Sequence, residues 1–375
     1  MKKTLFGTTA LVTAGVLASS GAQAQIELGL GGYMNNFFVV GDSDPDDGTD
    51  YSPTGLYSDG EVWFSGEFTA DNGLSFGANV QLEAFGGTGD QIDENFGYIE
   101  GGFGRFQFGS ENTAAYLMQY SSPSVGVPIN SGWVTSFVPI PGGHNAGFRT
   151  TGLSTYIDIG NDENILTYFT PRFFGFQFGA SYAPAVVFTG EGLNAPVFAN
   201  EDTQYNNGIS LGVNFVESFG SVDLAIAGGY RYAEAPDNAF AGFGFTPDDI
   251  EQYSLGANIG FAGFTIGGSY ANEASGRERV AGGTIVSTEG ESYDIGVAYS
   301  TGPWSFGVAY IHGEVEGVVG TAGEDEMDAA RVGVEYAVAP GVTASVSGLW
   351  ADWDEEGVNT DNDGFAGSVG INFGF

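Results

Sequence analysis

The sequence predicts an all-β protein, a transmembrane antiparallel barrel of sixteen strands. Three observations predict it. Segment after segment alternates apolar residues with small or polar ones at a period of two. Short turns alternate with long polar links along the chain. The 375 residues include 63 Gly and 31 Phe, and so many glycines are costly inside helices.

Composition and charge exclude several classes of protein. The chain carries 9 Lys+Arg against 47 Asp+Glu, for a net charge of −38. A nucleic-acid partner is excluded because such binding neutralises phosphates with basic residues. With no Cys, disulfides and thiolate zinc sites are excluded as well. A hydrophobic content of 42% favours a folded chain over a disordered one.

The N-terminus has the three parts of a secretory signal peptide. Lys2 and Lys3 precede an apolar run over 5–18, and Ala22-Gln23-Ala24 offers small residues for cleavage. We therefore expect a signal peptide at 1–24, export from the cytoplasm, and one mature domain at 25–375. No later apolar run is long enough for a spanning helix.

The C-terminal segment shows the strand pattern most plainly. Phe365, Val369, Ile371 and Phe373 share one parity, and small or polar residues occupy the other. This spacing gives a strand one apolar face. The same alternation recurs at 74–83, 253–261 and 293–300.

Loop length is one-sided. Short turns are expected at 71–73, 101–104, 171–173, 217–220, 260–263, 301–303 and 339–341, and long links at 42–60, 86–93, 111–163, 185–206, 235–250, 274–290, 315–327 and 353–363. This asymmetry is typical of outer-membrane barrels. Closure would pair every backbone amide in hydrocarbon. Aromatic residues near the ends of apolar faces agree with interfacial girdles: Tyr230, Tyr232, Tyr299, Trp304, Tyr310 and Trp350.

Short motifs resemble those of a known family. The stretch 164–176 (NILTYFTPRFFGF), the stretch 103–109 (FGRFQFG), the terminal Phe375 and the long link 111–163 are similar to the Gram-negative general-diffusion porins. The resemblance implies a homotrimer in the outer membrane, with short periplasmic turns, long extracellular loops and a third loop folded into the lumen. Ser110 stands where many members have arginine.

Strand parity provides candidate pore residues. The expected inward acids are Glu61, Glu67, Glu83, Asp223, Asp294 and Glu335; the inward bases are Arg231 and Arg331, with Arg105 near the periplasmic end. Because acids outnumber bases, the field in a water-filled lumen would favour cations. The alternative is ion pairing along the wall, Arg331 with Glu335 and Asp223 with Arg231.

The link 111–163 is the functional candidate by length, since a long structureless link usually has a role. It is rich in apolar residues, including Trp133, which must pack against the wall or a partner. Arg149 follows and could face acidic wall residues. By the resemblance, this link narrows the pore.

Clusters of acids in the links suit a hard cation such as Ca²⁺. The candidates are Asp42, Asp44, Asp46, Asp352, Asp354, Asp361 and Asp363. None fits an EF-hand loop, and solvated surface loops are the alternative. Divalent cations could also bridge these loops to anionic lipid. No cofactor is required.

We therefore expect a non-enzymatic porin that passes small hydrophilic solutes and ions by passive diffusion. Its partners would be further copies of itself and outer-membrane lipid. One alternative is a channel selective for sugars or cations, for which an inward Trp63 is the candidate contact. Others are a plugged barrel serving as adhesin or scaffold, and a soluble secreted β protein with its apolar faces inward.

Overall fold

The computed structural model describes residues 26–85, 92–139, 153–157, 163–186, 198–238, 246–276, 278–281, 284–319, 323–355 and 361–375. The predicted signal peptide and Arg149 lie outside these residues. The strands are β1 Glu27–Ser43, β2 Thr54–Thr69, β3 Ser75–Glu83, β4 Asn95–Gly101, β5 Gly104–Ser110, β6 Asn164–Phe169, β7 Phe176–Ala185, β8 Asn206–Phe219, β9 Val222–Glu234, β10 Ile250–Phe261, β11 Phe264–Ser275, β12 Arg279–Ala281, β13 Thr284–Thr301, β14 Trp304–Val318, β15 Asp325–Ala339, β16 Val342–Asp354 and β17 Asn362–Gly374. Two short helices, α1 Ala114–Leu117 and α2 Val134–Phe137, lie between β5 and β6.

The strands close into a barrel. Each wall strand pairs antiparallel with its neighbours, and β1 pairs with β17 through contacts such as Asn35 opposite Asn372. The three-residue β12 pairs with β13 in the β11–β13 link, while β11 also pairs directly with β13. Sixteen strands therefore form the wall, as predicted. Closure gives each of the sixteen wall strands a partner on both sides, which a hydrocarbon environment requires.

The apolar face of the wall points outward. Phe365 and Val369 are 63% and 61% exposed, whereas Ala366 and Ser368 between them are buried. A water-soluble barrel would show the opposite pattern. The outward apolar surface is therefore suited to lipid, and the outward Trp304 lies at the end of this surface next to a short turn.

The seven predicted turns are found between β2–β3, β4–β5, β6–β7, β8–β9, β10–β11, β13–β14 and β15–β16. They are tight because glycine takes left-handed backbone angles there, for example Gly263 at φ 88° and Gly341 at φ 73°. The long links all lie at the opposite end of the strands. No helix among the described residues is long and apolar enough to cross a membrane.

The lumen is filled on one side. The core cluster lies inside the barrel, where Val127, Val134 and Phe137 of the β5–β6 link pack against inward side chains such as Phe37 and Trp353. Inward residues of β8–β17 are mostly buried, whereas most of those of β2–β4 and of the start of β1 stay partly exposed. We call the described residues of the stretch 111–163 the inner loop, and the inward face of β2–β5 together with the start of β1 the open wall.

Candidate channel constriction

The inner loop begins as a helical turn held against β7 and β8. The backbone N–H of Ala114 donates to Ser181 Oγ at 2.9 Å, and that of Ala115 donates to Ser210 Oγ at 3.0 Å. These bonds satisfy amides that the first turn of a helix leaves without partners. Small hydroxyl side chains on the wall therefore act as caps for α1.

The middle of the loop is fastened by wall carboxylates. The N–H of Ser122 donates to Asp294 Oδ2 at 2.9 Å, and the N–H of Gly126 donates to Glu335 Oε1 at 2.7 Å. Hydrogen bonds to ionised acceptors are stronger than neutral ones. Each carboxylate therefore fixes one point of the loop backbone.

Arg331 holds the same stretch of the loop as a hydrogen-bond donor, whereas the two carboxylates hold it as acceptors. Its guanidinium donates to the carbonyl oxygens of Val127 and Pro123, each at 3.2 Å, and to Ser124 Oγ. The side chain is only 3% exposed. Three donors in a rigid fork suit a curved run of loop carbonyls.

Wall glycines let the loop approach closely. A Cβ on Gly333 would come closer than 3.0 Å to the Val125 carbonyl oxygen, and one on Gly256 would do the same to that of Tyr120. Any larger residue at either position would push the loop away. The loop therefore lies directly on bare backbone at two points.

The part of the inner loop around α2 packs against aromatic rings of β1 and β2. Trp133 lies 5.0 Å from Tyr57 and 6.0 Å from Phe37, measured between ring centroids. Phe137 of α2 contacts the same two rings. This packing accounts for the apolar residues that the sequence places in the loop.

Asp294, Glu335 and Arg331 were expected to line the pore; the structure buries Asp294 and Arg331, whereas Glu335 stays partly exposed. Asp294 and Arg331 are 4% and 3% exposed and lie beneath the inner loop. The predicted pairing of Arg331 with Glu335 is also wrong. Both are on β15, and four residues of strand separate their Cα atoms by about 13 Å, so each bonds the loop instead.

Arg231 also differs from its expected role. It is 1% exposed and pairs with the buried Glu163 of the inner loop at 2.6 Å. Asp223 accepts instead from Ser218 Oγ at 2.6 Å. Eight residues of β9 separate Asp223 from Arg231, about 26 Å along the strand, so the pairing between them that the sequence suggested is wrong.

The open wall keeps its predicted charges in reach of the lumen. Glu61, Glu67 and Glu83 point inward from β2 and β3, and none of them is buried. Arg105 is the one basic residue in β1–β5. Its guanidinium lies 3.9 Å from the Tyr98 ring centroid and 3.9 Å from Glu100. The open wall is therefore acidic.

The structure also places two acids that the sequence did not indicate, Asp93 and Glu94, beside Glu61. Ligand oxygens of Glu61, Asp93 and Glu94 all lie within 4.8 Å of one another. Burial, reinforced by Asp93, Glu111 and Glu61, raises the pKa of Glu94 to about 10. Asp93 is the last residue of the predicted link 86–93 and Glu94 follows it directly, so no strand parity was assigned to either. Only the pairing of Gln81 with this backbone reveals them.

The acidic links predicted as calcium sites do meet. Asp44 and Asp46 donate backbone hydrogen bonds to the carbonyl oxygens of Asp363 and Asp361 at 3.0 and 2.9 Å. Asp42 lies opposite Phe365 in the strand pairing, and Asp352 and Asp354 lie on the adjacent β16. Within the described part of the chain, three acids with converging ligand atoms occur at Glu61, Asp93 and Glu94 alone. Calcium binding by the links stays a prediction.

A closed barrel of sixteen antiparallel strands has known counterparts. Residues 7–355 match the family model of the Gram-negative porin. The chain belongs to the Gram-negative porin family. No curated protein matches the sequence. As a porin, it is an outer-membrane channel protein.

Solved structures share this porin's fold at low sequence identity. OmpF of Salmonella typhi, in complex with daunomycin, is 17% identical with a TM-score of 0.60, over 93% of this chain and 98% of that one. The anion-selective porin from Comamonas acidovorans is 14% identical with a TM-score of 0.59, over 94% and 100%. OmpT of Vibrio cholerae, in its trimer form, is 14% identical with a TM-score of 0.59, over 93% and 99%.

Proposed function

We propose that this porin is a cation-preferring channel for passive diffusion of small hydrophilic solutes and ions. The observation that carries the proposal is the unequal distribution of charge inside the barrel. The two predicted wall arginines, Arg231 and Arg331, are buried beneath the inner loop. The open wall retains inward acids against the single Arg105: Glu27, Asp59, Glu61, Glu67 and Glu83.

An acidic surface along a water-filled path enriches cations and repels anions. The Debye length is about 8 Å at physiological salt, so the preference is strongest where the path is narrow. The inner loop supplies that narrowing because it covers the opposite side of the lumen. Passage needs no cofactor and no covalent step.

The assembly belongs to the same proposal. We infer export through the signal peptide at 1–24 and a homotrimer in outer-membrane lipid. Family membership and the trimer form of the Vibrio cholerae neighbour support this. Native mass spectrometry of the detergent-solubilised protein tests it: a mass of three mature chains is expected, and a monomer at all concentrations contradicts it.

The inner loop is tested by deleting 133–140, which includes the Trp133 anchor. In a planar bilayer we expect stepwise conductance from the wild-type protein and a larger step from the deletion variant. An unchanged step size would show that the loop does not limit the current. Folded wild-type protein that forms no channels would instead favour a plugged scaffold or adhesin barrel.

A selective channel remains the second candidate, because an aromatic side chain does face the lumen. Trp63 points inward from β2 and is partly exposed. The residues around Trp63 suit a particular class of solute.

A further inference from the structure

A recess in the open wall lies near the short-turn end of the barrel. It has a volume of about 420 Å³ and opens to the lumen. We call it the wall recess. Its lining includes Glu27, Trp63, Glu67, Asn79 and Tyr98, with Arg105 beside Tyr98.

Strand register explains the shape of the recess. Across β1, β2 and β3, one row of inward residues is Gly29, Ser65 and Asn79, in which the first two are small. The row above contains Trp63. The row below contains Glu27 directly opposite Glu67. The small residues of the middle row leave a depression in the wall. The Trp63 indole borders it on one side, and the carboxylates of Glu27 and Glu67 border it on the other.

Glycines on the wall place the aromatic rings. A Cβ on Gly31 would come closer than 3.0 Å to the indole of Trp63, and a Cβ on Gly77 would do the same to the ring of Tyr98. Each ring therefore covers bare backbone on the neighbouring strand. This fixes both rings against the wall, where they border the recess.

The two rings differ in whether a cation of the protein already lies over the ring face. The guanidinium of Arg105 lies over Tyr98, 3.9 Å from its centroid, and the Tyr98 hydroxyl donates to Glu67. Tyr98 thus already holds a cation that belongs to the protein. Neither the guanidinium of Arg105 nor that of Arg172, the described arginines near this end of the lumen, is stacked on Trp63.

The carboxylates add the complementary charge. Glu27 and Glu67 face each other across an antiparallel pair, and like charges in that arrangement are destabilising. Both side chains are exposed to the lumen. A mobile cation between them would relieve the repulsion. An indole face beside paired carboxylates matches the aromatic sites that bind quaternary ammonium groups.

We propose that the wall recess binds small organic ammonium cations, with Trp63 as the aromatic face and Glu27 and Glu67 as the counter-charges. The inference rests on the proposed cation-preferring channel and names the class of solute that it would concentrate. An ammonium ion with methyl groups gains from both the indole and the carboxylates. A simple alkali ion gains from the carboxylates alone.

Choline is a suitable probe, and its uncharged isostere 3,3-dimethyl-1-butanol is the matched ligand control. Calorimetric titration of the full protein in detergent should show choline binding and at least about tenfold weaker binding of the isostere. Trp63→Leu should weaken choline binding by about 3- to 30-fold. Trp350→Leu, at an outward position on β16, should leave it unchanged.

Three results would overturn the inference. They are no choline binding to the wild-type protein, equal binding of the isostere, and unchanged binding by Trp63→Leu. A neutral sugar that binds in a Trp63-dependent manner while choline does not would make the recess a carbohydrate site.

The reversal potential in a KCl gradient separates this inference from the proposed function. Trp63→Leu changes no charge, so its reversal potential should keep the sign of the wild-type value. A cation-signed potential without choline binding overturns the recess inference alone. A potential that is not cation-signed overturns the proposed function, whatever choline does.

Discussion

Buried charges at single residues hold the inner loop in place. The pair Arg231–Glu163 joins β9 to the end of the loop with both side chains at 1% exposure or less. Removing one member of such a pair leaves the other charge buried, with neither a partner nor water to compensate it. Removing both charges leaves no uncompensated buried charge. The pair therefore behaves as a unit, and its members are informative only when changed together.

Arg231→Met should destabilise the barrel by about 3–5 kcal/mol, because Glu163 stays buried without its partner. The double variant Arg231→Met/Glu163→Gln should recover most of that loss. Apparent unfolding temperature, followed by the heat-induced mobility shift on gels, checks both. Equal losses in the single and double variants would show that the ion pair has no role.

Glu94 gives a pH dependence of stability. Its pKa is raised from 4.5 to about 10 in the folded protein, first by burial and then by Asp93 and Glu111. The folded state therefore holds a proton that the unfolded state releases. This contribution to stability is complete below pH 4.5 and is lost as the pH rises toward 10.

Glu94→Gln should remove that loss because glutamine mimics the protonated acid. The variant should unfold at a temperature higher by a few °C at pH 8, with ~2–4 °C expected per kcal/mol, and at the wild-type temperature at pH 4. Thermal scans at both pH values measure this. A difference of the same size at the two pH values would contradict the raised pKa.

At the scale of elements, glycines on the wall strands allow the inner loop to pack closely against the wall. The loop contributes carbonyl oxygens, and the wall leaves room for them at Gly333 and Gly256. Overfilling a packed contact forces atoms apart and costs about 1–3 kcal/mol. The loop is held by many small contacts, so a single intrusion should move it without unfolding the barrel.

Gly333→Ala should displace the loop near Val125 and give larger or noisier conductance steps. Gly348→Ala is the matched control, because its Cβ would meet its nearest neighbour, Val332 Cγ1, at 3.4 Å. Single-channel recordings compare the two variants. Identical steps from both would mean that the loop tolerates the methyl group at Gly333.

At the scale of the whole molecule, period and turn chemistry were sufficient to predict the barrel. Strand parity such as that of Phe365 and Val369 requires no tertiary information, and glycine turns fix where each strand reverses. The loop contacts were not predictable in the same way. Parity places Arg331 inside the barrel but cannot show that Val127 and Pro123 cover it. Asp93 and Glu94 were missed for the related reason that no strand parity was assigned at the end of the link 86–93.

The inner loop decides which wall charges face the open part of the lumen. Arg231 and Arg331 face inward by parity and yet are sealed beneath the loop. The acids at Glu67 and Glu83 remain on the open wall. Strand parity alone therefore misplaces charges of both signs, because Asp294 is buried beneath the loop together with the two arginines. The selectivity of the molecule should follow the open wall alone.

The reversal potential in a KCl gradient across a planar bilayer tests this most directly. The wild-type protein should give a cation-signed potential, Glu67→Gln/Glu83→Gln a clearly smaller one, and the outward control Glu217→Gln/Glu251→Gln the wild-type value. The differences in reversal potential should shrink at high salt, because the Debye length becomes shorter. An anion-signed wild-type potential, or one that the inward double variant leaves unchanged, would contradict an acid-lined channel.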